Sequence, residues 1–134
     1  MTTIVVGWTP DEFGEVALAR GLEEARLRGG RVVAVNATRG DALVDERYAD
    51  EDQLAALVDR LGGVGVEVDV RRSMGADVGD QVLSVAADVS ADLVVIGLRR
   101  RSPVGKLLMG SVAQRILLGA SCPVLSVKPG SVPD

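Results

Sequence analysis

Apolar residues recur along this chain with two alternating periods. Ile4, Val5 and Val6 form a short β-branched run closed by Gly7, and the stretch from Asp11 to Arg28 then carries Val16, Ala19 and Leu22 or Glu23 at helical spacing before Gly29-Gly30 stops it. Val32 to Val35 repeats the strand pattern, and a polar loop follows around Thr38 to Asp41. Leu54, Leu57, Val58 and Leu61 mark the buried stripe of a second helix that ends at Gly62-Gly63. Val66, Val68 and Val70 alternate with Glu67, Asp69 and Arg71, which fits a strand near the sheet edge with one wetter face. Val78, Val82, Val85 and Val89, at steps of four, three and four, predict a third helix. Leu93 to Ile96 holds no polar residue and reads as a central strand. Ser111 to Leu118 reads as a helix with Val112, Ala113, Ile116 and Leu117 inward, and Pro123 to Val127 as the last strand.

Five strands alternating with four helices predict a parallel sheet covered on both faces by right-handed crossovers. The fold class is therefore α/β: a single doubly wound five-stranded parallel sheet, order 3-2-1-4-5, with helices on both faces. In that order the winding reverses between the first and fourth strands. Ligands of such sheets bind at the carboxyl ends beside the reversal, which directs attention to Gly7 to Asp11 and to Gly97 to Ser111. No internal duplication or linker divides the chain, so residues 1–134 are expected to be one domain.

Composition narrows the function. At 134 residues, 47% of them apolar, the chain can bury a core. Its net charge of -4 argues against a general nucleic-acid binder, which needs a broad basic face. No apolar run approaches the roughly 20 residues that a bilayer demands, and the start MTTIVVGW does not resemble a signal peptide. The expectation is a cytoplasmic protein with no membrane and no nucleic-acid partner. One cysteine, Cys122, and no histidine exclude an internal disulfide, a C-x-x-C metal site and a histidine general base.

The segment Gly97 to Ser111, GLRRRSPVGKLLMGS, carries the chemistry. It leaves the most apolar strand and ends in Gly-Ser at a helix start. Glycine lets a backbone approach phosphate closely, a helix start presents unpaired N–H groups and the positive end of its dipole, and Ser111 adds a hydroxyl. The spacing resembles that of the universal stress protein family, whose ATP-binding members have Gly, two residues, Gly, nine residues, then Gly and Ser or Thr. Gly97, Gly110 and Ser111 fall in register, while Arg100 replaces the second glycine. The opening IVVGWTPDEFGEVALARGLEEA and the closing GSVAQRILLGASCPVLSVKP resemble the family's first strand and helix and its last helix and strand, so the likeness spans the chain.

The resemblance implies ATP, with magnesium, as a candidate ligand, and a nucleotide site of Thr9, Ala37, Gly97, Arg100, Gly110, Ser111 and Val112. Thr9 stands where ATP-binding relatives have a carboxylate that contacts the nucleoside, and Asn36 and Ala37 would border the base. A hydroxyl supplies one hydrogen bond there and no bidentate anionic acceptor. Arg100 has two readings. At a position of positive φ it costs on the order of 1 kcal/mol and crowds the phosphates. In a relaxed loop its guanidinium makes charge-assisted bonds of roughly 1.5–3 kcal/mol each, with Gly105 and Lys106 adding flexibility and charge. A blander reading makes Arg99 to Arg101 a solvated turn and Ser102-Pro103 the start of a short helix.

Other features weigh less. RRSPVGKL, residues 100–107, lacks the first glycine and the magnesium-binding hydroxyl of a P-loop. Lys128-Pro129 resembles the end of a receiver domain, but Arg71-Arg72-Ser73 leaves no aspartate to phosphorylate. Asp11 and Glu12 fit a helix cap better than a metal pair. Cys122 reads as a small buried thiol. Trp8 borders the proposed site and either stacks on a base or covers the sheet end. The acidic run Asp41 to Asp52 reads as the exposed start of the second helix. Val124, Leu125, Ser126, Val127 and Lys128 form the last, edge strand, through which relatives often dimerise, and a homodimer is expected. Two function classes stay open: a nucleotide-responsive stress or signalling module, at most a slow or partner-dependent ATPase, and a non-nucleotide member acting through homodimerisation and an unidentified protein partner.

Overall fold

The structure, a computed structural model, describes residues 1–38, 49–98 and 110–129. Along the chain run β1 (Thr3–Gly7), α1 (Glu12–Arg28), β2 (Arg31–Thr38), α2 (Glu51–Leu61), β3 (Val68–Met74), α3 (Val78–Asp88), β4 (Leu93–Gly97), α4 (Ser111–Gly119) and β5 (Val124–Val127). The sheet order is β3-β2-β1-β4-β5, all pairs parallel, as the alternation predicts. Val5 lies between Val33 and Val94, and Val94 in turn faces Val124.

Period-two alternation divides the sheet between two cores. Ile4, Val6, Val32, Ala34 and Val95 pack with the α1 and α2 residues Ala17, Leu18, Leu22, Leu57 and Leu61. Val5, Val33, Val35, Val94 and Ile96 pack with the α3 and α4 residues Val82, Ala86, Ala113 and Ile116. Both sets are close to fully buried, so the central strands need no polar face.

Several boundaries differ from those read in the sequence. The inward face of α1 is Gly14, Ala17, Leu18, Gly21, Leu22 and Ala25, while Ala19 and Glu23 are exposed and Val16 is half-buried. The helix approaches the sheet through small residues, and a search for large apolar side chains shifts the stripe by about half a turn. β2 continues beyond Val35 because Asn36 and Thr38, although polar, are buried and hydrogen-bonded. Met74 extends β3 opposite Thr38, whose carbonyl accepts from Gly75 N–H and from Gln81 Nε2. On α2, Leu57 and Leu61 are buried, Leu54 is half-buried and Val58 is about half exposed. On α4, Ala113 and Ile116 point inward, but Leu117 does not.

A methyl at Gly21 would collide with Val6 Cγ2 in the sheet below. Alanine at an unconstrained mid-helix position gains about 1 kcal/mol over glycine, whereas overpacking a core costs about 1–3 kcal/mol. Gly21→Ala should therefore lose about 1 kcal/mol in urea denaturation, and Gly21→Ala with Val6→Ala should cost less than the sum of the two changes. A Gly21→Ala protein more stable than wild type would show that α1 stands off the sheet.

Candidate functional site

The reversal of strand order falls between β1 and β4, and the chain leaves them toward opposite faces, α1 on one and α4 on the other. Beyond β1, Trp8 N–H donates to Val35 O at 2.9 Å, continuing the ladder by one rung. Its carbonyl accepts from Asn36 Nδ2 at 2.9 Å. Asn36 Oδ1 also accepts from Ala49 N–H at 2.7 Å, so this wholly buried amide joins the loop after β1 to the approach to α2. Trp8 itself is buried in the α1/α2 core, which supports the sheet-covering role, and its Nε1–H has no hydrogen-bond partner among the described residues. Leaving such a donor unsatisfied costs about 1–3 kcal/mol.

Asp11 caps α1, as its sequence position implies. Its Oδ1 accepts from Gly14 N–H at 3.0 Å and from the Thr9 hydroxyl at 2.6 Å. Thr9 has thus committed its proton within the loop, and what it offers a ligand is a lone pair. A methyl at Gly14 would run into the Thr9 backbone, so loop and helix start are built against each other.

Across the reversal, Gly97 ends β4 with its Cα against the Phe13 carbonyl of α1, where a Cβ would collide. Helix packing alone therefore demands glycine at this position. Gly110 is different. It is the N-cap of α4 in extended conformation, φ -68° and ψ 159°, and a Cβ there would meet nothing within 4 Å among the described residues. The helices α1, α2 and α3 are each capped by an aspartate, Asp11, Asp50 or Asp77, and each has an acid in its first turn. α4 has neither a side-chain cap nor a first-turn acid, so the positive end of its dipole is not answered from within its own turn. Arg115, one turn in, is held by Asp80 of α3 at 2.6 Å.

The structure thus brings Thr9, Ala37, Gly97, Gly110, Ser111 and Val112 to the carboxyl end of the sheet. Ala37 is buried, Thr9, Gly97 and Val112 are half-buried, and Gly110 and Ser111 are exposed. Arg100, with Arg99, Arg101, Gly105 and Lys106, lies outside the described residues, as does the acidic run up to residue 48. Its remainder includes the N-cap and first turn of α2. Among the described residues no three His, Cys, Asp or Glu side chains cluster as metal ligands. Cys122, read as buried, is half-buried; desolvation and the nearby Asp92 carboxylate push its thiol up, so it stays protonated at neutral pH. The sequence reading placed Asn36 beside the base but did not predict its bonds. The signal available was a lone amide in the otherwise apolar run VVAVNA.

The model of the universal stress protein family matches residues 1–128. The chain belongs to that family. A universal stress protein of Mycolicibacterium smegmatis is 45% identical over 126 residues, covering 94% of this chain and 97% of the relative. The solved universal stress protein of Archaeoglobus fulgidus superposes with a TM-score of 0.77 at 31% identity, covering 96% of this chain and 98% of that one. The complex of the universal stress protein from Archaeoglobus fulgidus with dAMP has a TM-score of 0.69 at 28% identity, with the same coverage.

The two site glycines should separate experimentally. Gly97→Ala is expected to lower stability by about 1–3 kcal/mol through its clash with the α1 backbone, and Gly110→Ala to change it by less than about 0.5 kcal/mol. Thermal and urea unfolding measure both, and equal effects would refute the distinction.

Proposed function

We propose that this universal stress protein binds an adenine nucleotide at the carboxyl ends of β1, β2 and β4, and works as a homodimeric, nucleotide-responsive stress or signalling module in the cytoplasm. The observation that carries the reading is the uncapped start of α4 beside the strand-order reversal, in a chain 28% identical to a relative solved with dAMP. The amides of Ser111 and Val112 and the Ser111 hydroxyl would receive phosphate, with Gly110 keeping the approach clear. Ala37 would border the base, and Thr9 would accept from a ligand donor. Arg100 lies outside the described residues; in the relaxed-loop reading its guanidinium would pair with the phosphates of ATP. Without a cluster of metal-ligating side chains among the described residues, magnesium would be held mainly by the phosphates.

The proposed module is not an efficient catalyst. The chain has no histidine, and Thr9 replaces a carboxylate, so hydrolysis would be at most slow or partner-dependent. Among the described residues no helix is long and apolar enough to cross a membrane. The alternative, a non-nucleotide module acting through dimerisation and a protein partner, draws support from Gly97, whose identity is explained by packing against Phe13 without any phosphate.

The two sheet edges favour β5 as the dimer edge. β3 bears Asp69, Arg71 and Arg72, charges of the kind that block strand pairing, while Val124–Val127 bears none. Val94 N–H donates to Pro123 O and Leu98 N–H to Val127 O, so the backbone groups of Val124 and Ser126 point away from β4. Ser126→Pro would remove an outward N–H and no bond to β4. We expect a dimer for wild type and a monomer for Ser126→Pro in analytical ultracentrifugation, and an unchanged mass would discount β5.

Calorimetric titration with AMP and with ATP, with and without magnesium, tests the ligand. Micromolar binding supports the switch, and its loss in a folded Gly110→Arg variant places phosphate at α4. No heat at millimolar nucleotide would favour the interaction module.

A further inference from the structure

We propose that Asn36 is the positioning residue of this site, setting the loop that carries Thr9 and keeping the Ala37 peptide edge available to the base. The inference rests on the nucleotide reading above. In a continued parallel ladder the Trp8 carbonyl would face the N–H of Ala37, because Gly7 is in register with Val35 and Trp8 N–H already bonds Val35 O. Instead Trp8 O accepts from the Asn36 side chain. The side chain thus supplies the rung that the backbone of Ala37 would give, and β1 can leave the sheet at Gly7, opposite Val35, while β2 runs on to Thr38.

The same amide holds the second wall. Asn36 Oδ1 accepts from Ala49 N–H, one residue before the Asp50 cap of α2. One wholly buried group therefore fixes two chain segments that are 28 and 13 residues away in sequence. Both bonds are in the protein interior, where water does not compete and a misplaced polar group is costly. Only a side chain with a donor and an acceptor on one planar head makes both. Aspartate keeps the acceptor for Ala49 and turns a carboxylate on the Trp8 carbonyl. Leucine matches the volume and makes neither bond.

Trp8 is the only tryptophan, so its emission reports the loop directly. The test compares wild type, Asn36→Asp and Asn36→Ala by Trp8 fluorescence and by AMP calorimetry. Leu22→Ala, on the opposite half of α1, serves as a control of lowered stability. We expect Asn36→Asp and Asn36→Ala to shift Trp8 emission and weaken AMP binding at least tenfold at temperatures where both remain folded by circular dichroism. Leu22→Ala should lower the melting temperature and leave emission and affinity near wild type. Wild-type affinity and emission in Asn36→Asp would overturn the role of Asn36 while leaving the nucleotide reading intact. A wild-type protein that takes up no AMP at millimolar concentration would overturn the nucleotide reading, and the positioning role with it. A Leu22→Ala protein as impaired in binding as Asn36→Asp would reduce Asn36 to a general stabiliser.

Discussion

Helix α1 packs Leu18 and Leu22 on the sheet but approaches it closely at glycines, and the rest of the molecule is arranged around those contacts. Gly21 meets Val6, Gly97 meets the Phe13 carbonyl, and Gly14 meets the Thr9 backbone. Each is a place where one methyl would force the helix outward. Interiors are packed to near-crystalline density, so such a shift would not be absorbed locally. It would move the loop after β1, whose two ends are fixed by Asp11 at the helix and by Asn36 at the sheet. The precision of the carboxyl end of the sheet thus derives from glycines, residues that carry no chemistry themselves.

Strand order and the presence of all nine elements were legible because the chain alternates short β-branched runs with longer amphipathic ones, with glycine pairs closing the first two helices. What the pattern could not supply was the contribution of small and polar residues to the core. The stripe of α1 was misplaced because glycine and alanine form its inward face. β2 was shortened because Asn36 and Thr38 break an apolar run, although hydrogen bonds make their burial acceptable. Hydrophobic periodicity measures transfer from water, and neither a glycine contact nor a satisfied amide registers on that scale.

The candidate site was legible in the same uneven way. The family pattern located Gly97 and Gly110, but it treats them alike, whereas the fold gives them separate duties: one seats a helix and the other leaves a helix start open. Asp11 could be recognised as a cap from its position before a helical run. That its carboxylate also accepts a hydrogen bond from the Thr9 hydroxyl could not, since it depends on the loop closing over Gly14.

The overall charge of -4 opposes an anionic ligand at long range, and magnitudes decide the matter. At physiological ionic strength charges more than about 8 Å apart are largely screened, so most of the surface carboxylates act weakly on a phosphate at α4. An uncapped helix start contributes about 0.3–1 kcal/mol through its dipole, and each charge-assisted hydrogen bond about 1.5–3 kcal/mol. These short-range terms outweigh a screened background. The capping aspartates Asp11, Asp50 and Asp77 act within their own turns, where they answer dipoles that would otherwise compete for the same anion, while Asp80 is neutralised by Arg115. An acidic chain can therefore hold one phosphate site, provided that a single helix start is left without an acid. In this chain α4 is the helix with no acid in its own first turn, which is why the proposed phosphate site is drawn there.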